Sequence, residues 1–330
     1  MYFAFHNVDP KEMWERVMKA NFWWILLSLV FSTIAHASRA YRWRMLIEAA
    51  DKKPKFSNSF YALAVGYFAN MAFPRLGEVT RCTALYEVEK TSLDSLFGTV
   101  IAERVIDLIS LLSLMVLVLF VNMEKFSGVF IDIGNKKLKD LQSVSQLTWI
   151  LMAAGVFAFI ITLIILRKKF MKIKIVEKIM NFLKGIVDGF RSVLKVKNKG
   201  VFIFHSVFIW FMYFVSGYIT LFSMPETANL GLAAALFLLV LGGIGMSVPA
   251  PGGFGSYHFF VATGLVVYGI AFDAFTPGAV NKGLDYAFVV HSSQVLLIIF
   301  LGSLSLIMFN IVKRKQLAAE TNDTSTAQTS

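Results

Sequence analysis

Residues 96–121 read LFGTVIAERVIDLISLLSLMVLVLFV. The run is long enough to cross a bilayer core about 30 Å thick, which takes roughly 20 apolar residues as a helix. Its first half nevertheless carries Glu103, Arg104 and Asp107. An ionisable group near the middle of a membrane helix costs roughly 2.5 to 3.5 kcal/mol on insertion scales, so the three need partners or a purpose. On a helix starting at Ser95, Glu103 and Asp107 fall four residues apart on one face, about 12 and 18 Å from its start. Arg104, or a charge near Pro74, is the expected partner.

The rest of the chain fits a membrane setting. Of its 330 residues 57% are hydrophobic and only 16% charged, too apolar for a soluble chain of this length. Further apolar runs cover Asn21 to Ala37, Leu147 to Leu166, Val201 to Phe222, Leu230 to Val248, Phe254 to Phe272 and Leu284 to Val312. Six or seven crossings fit. Cys82 is the single cysteine, which leaves no disulfide framework and reads as a small core residue. The start, Met1 to Phe5, lacks the basic opening of a secretory signal.

Charge sets the orientation. The net charge is +11, and residues 167–199 hold eleven Lys and Arg against Glu177 and Asp188. That loop is expected on the cytoplasmic side. Its apolar residues recur at three- and four-residue steps, the pattern of an amphipathic helix on anionic lipid, so the basic charge points to the inner leaflet and not to nucleic acid. Counting crossings outward places the tail Lys313-Arg314-Lys315 inside. The loop from Arg39 to Phe56 is also basic and inside, so Phe60 to Phe73, only about fourteen residues before Pro74, is expected to enter and leave from the same face. Trp23 and Trp24 at one end of the first span, and Tyr41 and Trp43 at the other, read as interfacial aromatic belts. The same parity puts the N-terminus outside and suggests that an earlier span is missing.

A second interruption is GGIGMSVPAPGGFG, residues 242–255. Pro249 and Pro251 remove helix donors, and the glycines permit turns closed to other residues. Broken helices persist at membrane depth only where their backbone is buried in protein or faces water. Two such elements meeting near the midplane are a transporter arrangement, though full crossings here fit the charge parity equally well.

Candidate site residues follow from these interruptions. Arg75, Glu78 and Arg81 lie just past the first break, and Glu103, Arg104 and Asp107 lie within the following span. Spare arginine donors would bind a phosphate in bidentate fashion, against the plainer reading of salt bridges that hold the hairpin. Arg39, Arg42 and Arg44 close the first span and read first as snorkelling to headgroups, with Arg42 kept as a candidate. Gly252, Gly253 and His258 mark the second break. His205, His258 and His291 lack metal-ligand spacing, and the glycine run lacks a P-loop lysine, so no cofactor and no metal is expected.

The runs Arg42-Trp43-Arg44-Met45-Leu46, Gly66-Tyr67-Phe68-Ala69-Asn70, Pro74-Arg75-Leu76-Gly77-Glu78 with Arg81, Glu103-Arg104 with Asp107, and Pro251-Gly252-Gly253-Phe254-Gly255 together resemble the lysylphosphatidylglycerol synthase transmembrane family, also called flippase-like. They cover nearly the whole chain in the family's order. The resemblance implies a bacterial or archaeal plasma-membrane domain that, in the multiple peptide resistance factors, moves aminoacylated phosphatidylglycerol to the outer leaflet. Those factors carry a soluble aminoacyl-transferase domain after the membrane part. Here a polar tail follows, so no synthase activity is expected. His258 stands where the family's second signature usually continues to a glutamate, which bears on substrate charge preference.

The expectation is an all-α polytopic integral membrane protein with about 6–7 transmembrane helices and one or two re-entrant, Pro/Gly-broken hairpins. Residues 1–312 would form the membrane domain and 313–330 a polar disordered cytoplasmic tail. The expected function is a membrane lipid flippase or related transporter for a phosphate-bearing lipid, in a prokaryotic plasma membrane. A membrane-embedded transferase acting on a lipid-linked sugar is the enzyme alternative. The interaction alternative is a non-catalytic subunit docking a separate lipid-modifying enzyme through residues 167–199. The expected partners are membrane lipids, either an anionic phospholipid or a lipid-linked substrate.

Overall fold

The computed structural model describes residues 10–122, 194–273 and 281–328. The expected span Leu147 to Leu166 and most of the basic loop 167–199 lie outside the described residues. The chain divides into two units, residues 1–118 with 189–330, and residues 119–188.

Among the described residues, nearly all of them in the first unit, the fold is all-helical: α1 (Pro10–Val17), α2 (Phe22–Ala50), α3 (Phe56–Ala72), α4 (Leu76–Glu89), α5 (Leu93–Val121), α6 (Lys199–Leu221), α7 (Leu232–Ser247), α8 (Ser256–Val266) and α9 (Lys282–Gln328), with a 3₁₀ turn at Pro251–Gly253. Three of these are long and apolar enough to cross a membrane, α5, α6 and α9 over Lys282–Gln316, and the α1–α2 pair, bent by 79°, makes a fourth. The expected six or seven crossings are thus not reached among the described residues. Two of the apolar runs are cut short by their Pro/Gly chemistry. α7 has 16 residues and α8 has 11, about 24 and 17 Å at 1.5 Å per residue, and neither alone spans a 30 Å core.

The surface is what a bilayer requires. Val116 on α5, Val207 on α6 and Phe300 on α9 are each more than half exposed. In water, such contiguous apolar faces would drive association; in hydrocarbon they cost nothing. The core sits between the helices in two main clusters. One joins Trp43, Ile47, Ala62, Cys82, Leu85, Leu96 and Val100. The other joins Met13, Val17, Leu221, Ala235, Val261, Leu265 and Tyr286. Cys82 is buried in the first. Trp43, expected in an interfacial belt, is fully buried in the same cluster and donates its indole N–H to Thr99 Oγ1 at 3.0 Å.

The clusters mark opposite ends of the bundle. At one end, the close of α4 is tied to the start of α3: the Lys55 backbone N–H and the Asn58 side chain both donate to Glu89 Oε1, at 2.8 and 2.7 Å. The end of α2 and the start of α5 join them through the Ser92 N–H and the Asp51 carboxylate, 2.9 Å apart. At the other end the Asn21 N–H donates to the Ser223 carbonyl at 2.7 Å, and Arg16 of α1 pairs with Asp285 of α9 at 2.6 Å. α3 and α4 therefore form a hairpin that starts and finishes at one end, while α7 and α8 form one that belongs to the other.

Close backbone approach holds each hairpin together. Gly66 on α3 faces Gly77 on α4, where a Cβ on Gly66 would stand 2.8 Å from the Gly77 carbonyl, and one on Gly77 would strike the Gly66 carbonyl and the Asn70 side chain. Asn70 Oδ1 also accepts from the Gly77 N–H at 2.7 Å. In the second hairpin a Cβ on Gly245 would stand 2.9 Å from the Tyr257 backbone. One on Gly98, on α5, would meet nothing within 4 Å.

Gly77→Ala is expected to destabilise the detergent-solubilised protein by about 1–3 kcal/mol, the usual cost of overpacking a closed contact. Gly98→Ala should raise stability by roughly 0.5–1 kcal/mol through helix propensity. Thermal unfolding followed by size-exclusion fluorescence checks both, and equal effects at the two positions would remove the close-contact explanation.

Candidate functional site

Helix α2 places Arg39 and Arg42 three residues apart on one face, and α5 places Glu103 and Asp107 four apart on the face opposite. The four interlock. Arg39 Nε donates to Glu103 Oε1 at 2.7 Å, and its Nη2 donates to Asp107 Oδ2. Arg42 Nη2 donates to Asp107 Oδ1 at 2.6 Å and stands 3.9 Å from Glu103 Oε1. From the hairpin, Arg81 Nη1 reaches Glu103 Oε2 at 3.0 Å. One carboxylate thus ties together α2, α4 and α5.

The cluster is deeply buried: Arg42 and Glu103 are fully buried and Arg81 is 3% exposed. Charges in such a place persist only when paired with good geometry. Here every carboxylate oxygen of Glu103 and Asp107 has an arginine donor. The guanidiniums are not likewise exhausted. Nε and Nη1 of Arg42, and Nε and Nη2 of Arg81, are buried with no hydrogen-bond partner among the described residues. Nε and Nη2 form the side-on fork of a guanidinium, the edge that binds carboxylate or phosphate in bidentate fashion. Arg81 presents that whole edge while its face lies over the Trp43 ring, 4.7 Å from the centroid. The stack fixes the plane and leaves the fork open.

The other expected site residues fall elsewhere. Arg104 is not a partner of Glu103 or Asp107: it is half-exposed and pairs with Glu78 at 2.8 Å. Arg75 stands exposed at the tip of the first hairpin, in the left-handed region with φ 68°, between Pro74 and the first turn of α4. Arg42 does not snorkel, and neither does Arg39; both turn inward to α5. Arg39 is the site residue that sequence reasoning passed over. Its spacing from Arg42, matched to Glu103 and Asp107, is the signal that could have found it.

Gly252 and Gly253 sit at the second break with φ 55° and 74°. A Cβ on Gly252 would collide with the end of the Met71 side chain, so the loop of the second hairpin touches the last turn of α3. His258 is fully buried one turn into α8, where its Nδ1 accepts from the Gly255 N–H at 3.3 Å. Its ring lies 4.8 Å from His291 of α9 and 5.0 Å from Phe254. His291 in turn stacks on Tyr257 at 4.8 Å. This aromatic cluster belongs to α8 and α9, whereas the charged cluster belongs to α2, α4 and α5.

Exposed apolar helix faces around a buried ion-pair lattice define an integral membrane protein with a polar centre. The chain belongs to the lysylphosphatidylglycerol synthase transmembrane-region family, whose model matches residues 1–302. A similar curated protein is a UPF0104 membrane protein of Methanocaldococcus jannaschii, 26% identical over 258 residues that cover 71% of each chain. No solved structure matches.

Glu103→Gln leaves three guanidiniums against Asp107 alone, and a stability loss of about 3–5 kcal/mol is expected from the unpaired buried charge. Adding Arg81→Met to that variant should cost less than the sum of the single changes, because the two share one interaction. A double-mutant cycle by thermal unfolding measures this; additive losses would mean that the pair at 3.0 Å carries no coupling.

Proposed function

We propose that the protein is a lipid transporter of the flippase type, in which Arg81 and Arg42 hold the phosphate of a lipid headgroup while its acyl chains stay in the bilayer. The observation that carries this reading is the open fork of Arg81, a buried guanidinium edge on a hairpin too short to span a membrane. A permanently unpaired donor edge at that depth is costly, and a transient anionic ligand is the economical reason to keep it.

On this reading the α3–α4 hairpin is re-entrant from the cytoplasmic side and the α7–α8 hairpin from the outside. Support comes from the charge at the first hairpin's open end, where Lys52, Lys53, Lys55 and Lys313 gather, in keeping with a cytoplasmic face. The contact between Met71 and Gly252 is where the two would meet. Arg75 at the hairpin tip and Arg104 with Glu78 on the exposed face are then the first polar groups a headgroup encounters. Glu103 and Asp107 orient the arginines. Transport, with no chemical change to the lipid, is favoured over transfer chemistry because the carboxylates of the cluster are all engaged and none stands free as a base.

Leaflet exchange of headgroup-labelled phosphatidylglycerol in proteoliposomes tests the proposal. The protein should accelerate exchange over empty liposomes. Arg81→Lys keeps the charge but loses the fork, and should slow exchange about tenfold, equivalent to 1.4 kcal/mol. Lys313→Gln, which breaks an exposed pair with Glu87, should leave the rate unchanged. Exchange no faster than in empty liposomes would sink the transport reading, and an unaltered rate in Arg81→Lys would sink the site.

A further inference from the structure

A second group of unsatisfied atoms lies beside the arginine cluster. The Tyr67 hydroxyl on α3 and Nδ1 of His36 on α2 are buried and lack a hydrogen-bond partner among the described residues. Their rings lie 5.1 Å apart, and Tyr67 interacts electrostatically with Arg39, Glu103 and Arg81. In a membrane interior such groups cost free energy unless something answers them. A hydroxyl can donate and accept, and an imidazole nitrogen does one or the other according to its tautomer. The pair is therefore suited to an oxygen that needs no countercharge.

Both residues also line a cleft whose other walls are apolar: Phe60, Leu63 and Ala64 of α3, with Ile298 and Leu301 of α9. Steps of three and four residues put the α3 side chains and Tyr67 on one face of that helix. Leu63 and Ala64 are buried, whereas Phe60, Ile298 and Leu301 are part-exposed. The cleft thus has a closed floor, and its lips open on the apolar surface. Three kinds of occupant leave it half answered. A headgroup, polar throughout, would leave the cleft bare, and a plain hydrocarbon would leave the hydroxyl and the imidazole unpaired. Water would satisfy those two groups and nothing beyond them. The junction where a hydrocarbon chain meets its linking oxygens satisfies both halves.

We infer that the cleft between α3 and α9 binds one hydrocarbon chain of a membrane lipid, with Tyr67 and His36 hydrogen-bonded to the ester oxygens that link this chain to the glycerol. An ester carbonyl only accepts, so the Tyr67 hydroxyl donates to it and His36 donates from Nδ1. The inference rests on the transport reading, since it names where the rest of the lipid lies when its phosphate is held by Arg81 and Arg42. The chain keeps apolar surroundings throughout, seated in a groove on the bilayer side of the bundle. The site reads the linkage and the chain, and places no condition on the headgroup.

The experiment is photocrosslinking of the full chain in proteoliposomes, using phosphatidylglycerol with a diazirine near the ester, at the end of one chain, or on the headgroup. The ester-proximal probe should label the α3 segment around Tyr67, and the chain-end probe should label the cleft walls on α3 and α9. Ile298→Trp, which fills the cleft from its open side, should abolish the chain-end labelling there. Tyr67→Phe removes only the hydroxyl and should weaken binding of dihexanoyl phosphatidylglycerol about threefold to tenfold, the worth of one hydrogen bond. Both variants are checked for folding by their unfolding temperatures. Labelling confined to bilayer-facing positions such as Val207 and Phe300 overturns the inference, as does unchanged affinity in folded Tyr67→Phe, the result expected if the hydroxyl meets only water. Stronger labelling around Tyr67 by the headgroup probe than by the ester-proximal probe overturns the assignment to the linkage. Cleft labelling without leaflet exchange would leave the chain site standing and remove the transport reading instead; exchange without cleft labelling would do the reverse.

Discussion

Glu103 is the residue on which the arrangement depends. Its two oxygens are divided between Arg39 of α2 and Arg81 of α4, so a single buried carboxylate on α5 holds a long apolar helix and a short hairpin in one place. Its burial has three effects. The ion pairs are strong because water does not compete, they are intolerant of the loss of one member, and they set the hairpin's depth more firmly than its modest apolar content could. Asp107, one turn further along, repeats the device between Arg39 and Arg42.

Close contact between backbones supports the same geometry from the other side of the hairpin. At Gly66 and Gly77 neither residue has a side chain of its own to hold the backbones apart, which brings α4 near enough for Arg81 to reach Glu103. Small residues at helix contacts are the usual means of close approach where no hydrophobic force acts between helices. Gly302 of α9 uses it again, facing Phe68 and the Ala64 carbonyl on α3. The hairpin is thus closed by the Gly66–Gly77 contact within it and held to the bundle by Gly302 on α9 and by the Arg81–Glu103 pair.

Much of this was legible in the sequence, and the parts that were not have identifiable causes. The apolar runs, the interruption before Pro74, and the shared face of Glu103 and Asp107 all follow from composition and helical period. Of the two expected partners, a charge beyond Pro74 does meet Glu103, through Arg81, whereas Arg104 does not, because adjacent residues on a helix point about 100° apart; Arg104 looks outward to Glu78. The inward turn of Arg39 and Arg42 was hidden because their partners lie more than sixty residues away. Trp43 was misplaced for a related reason: an aromatic near the end of an apolar run looks interfacial until a second helix covers it. The end of α7 and the start of α8 fall at the break that Pro249, Pro251 and Gly252, Gly253 and Gly255 make, as the sequence indicates.

The distance along the chain between Arg39 and Glu103 also bears on how the protein is made. Synthesis delivers α2 first, and its two arginines must wait for α5, 64 and 65 residues later, before their carboxylates exist. During that interval the long flexible side chains have only the headgroup layer to satisfy them, so snorkelling describes the nascent helix even though it does not describe the finished one. Helix α4 faces the reverse problem, since it is made before Glu103 and is poorly apolar. It has reason to enter the bundle only once α5 is in place. The first helix and the hairpin thus share one requirement, a carboxylate that the ribosome delivers after both of them.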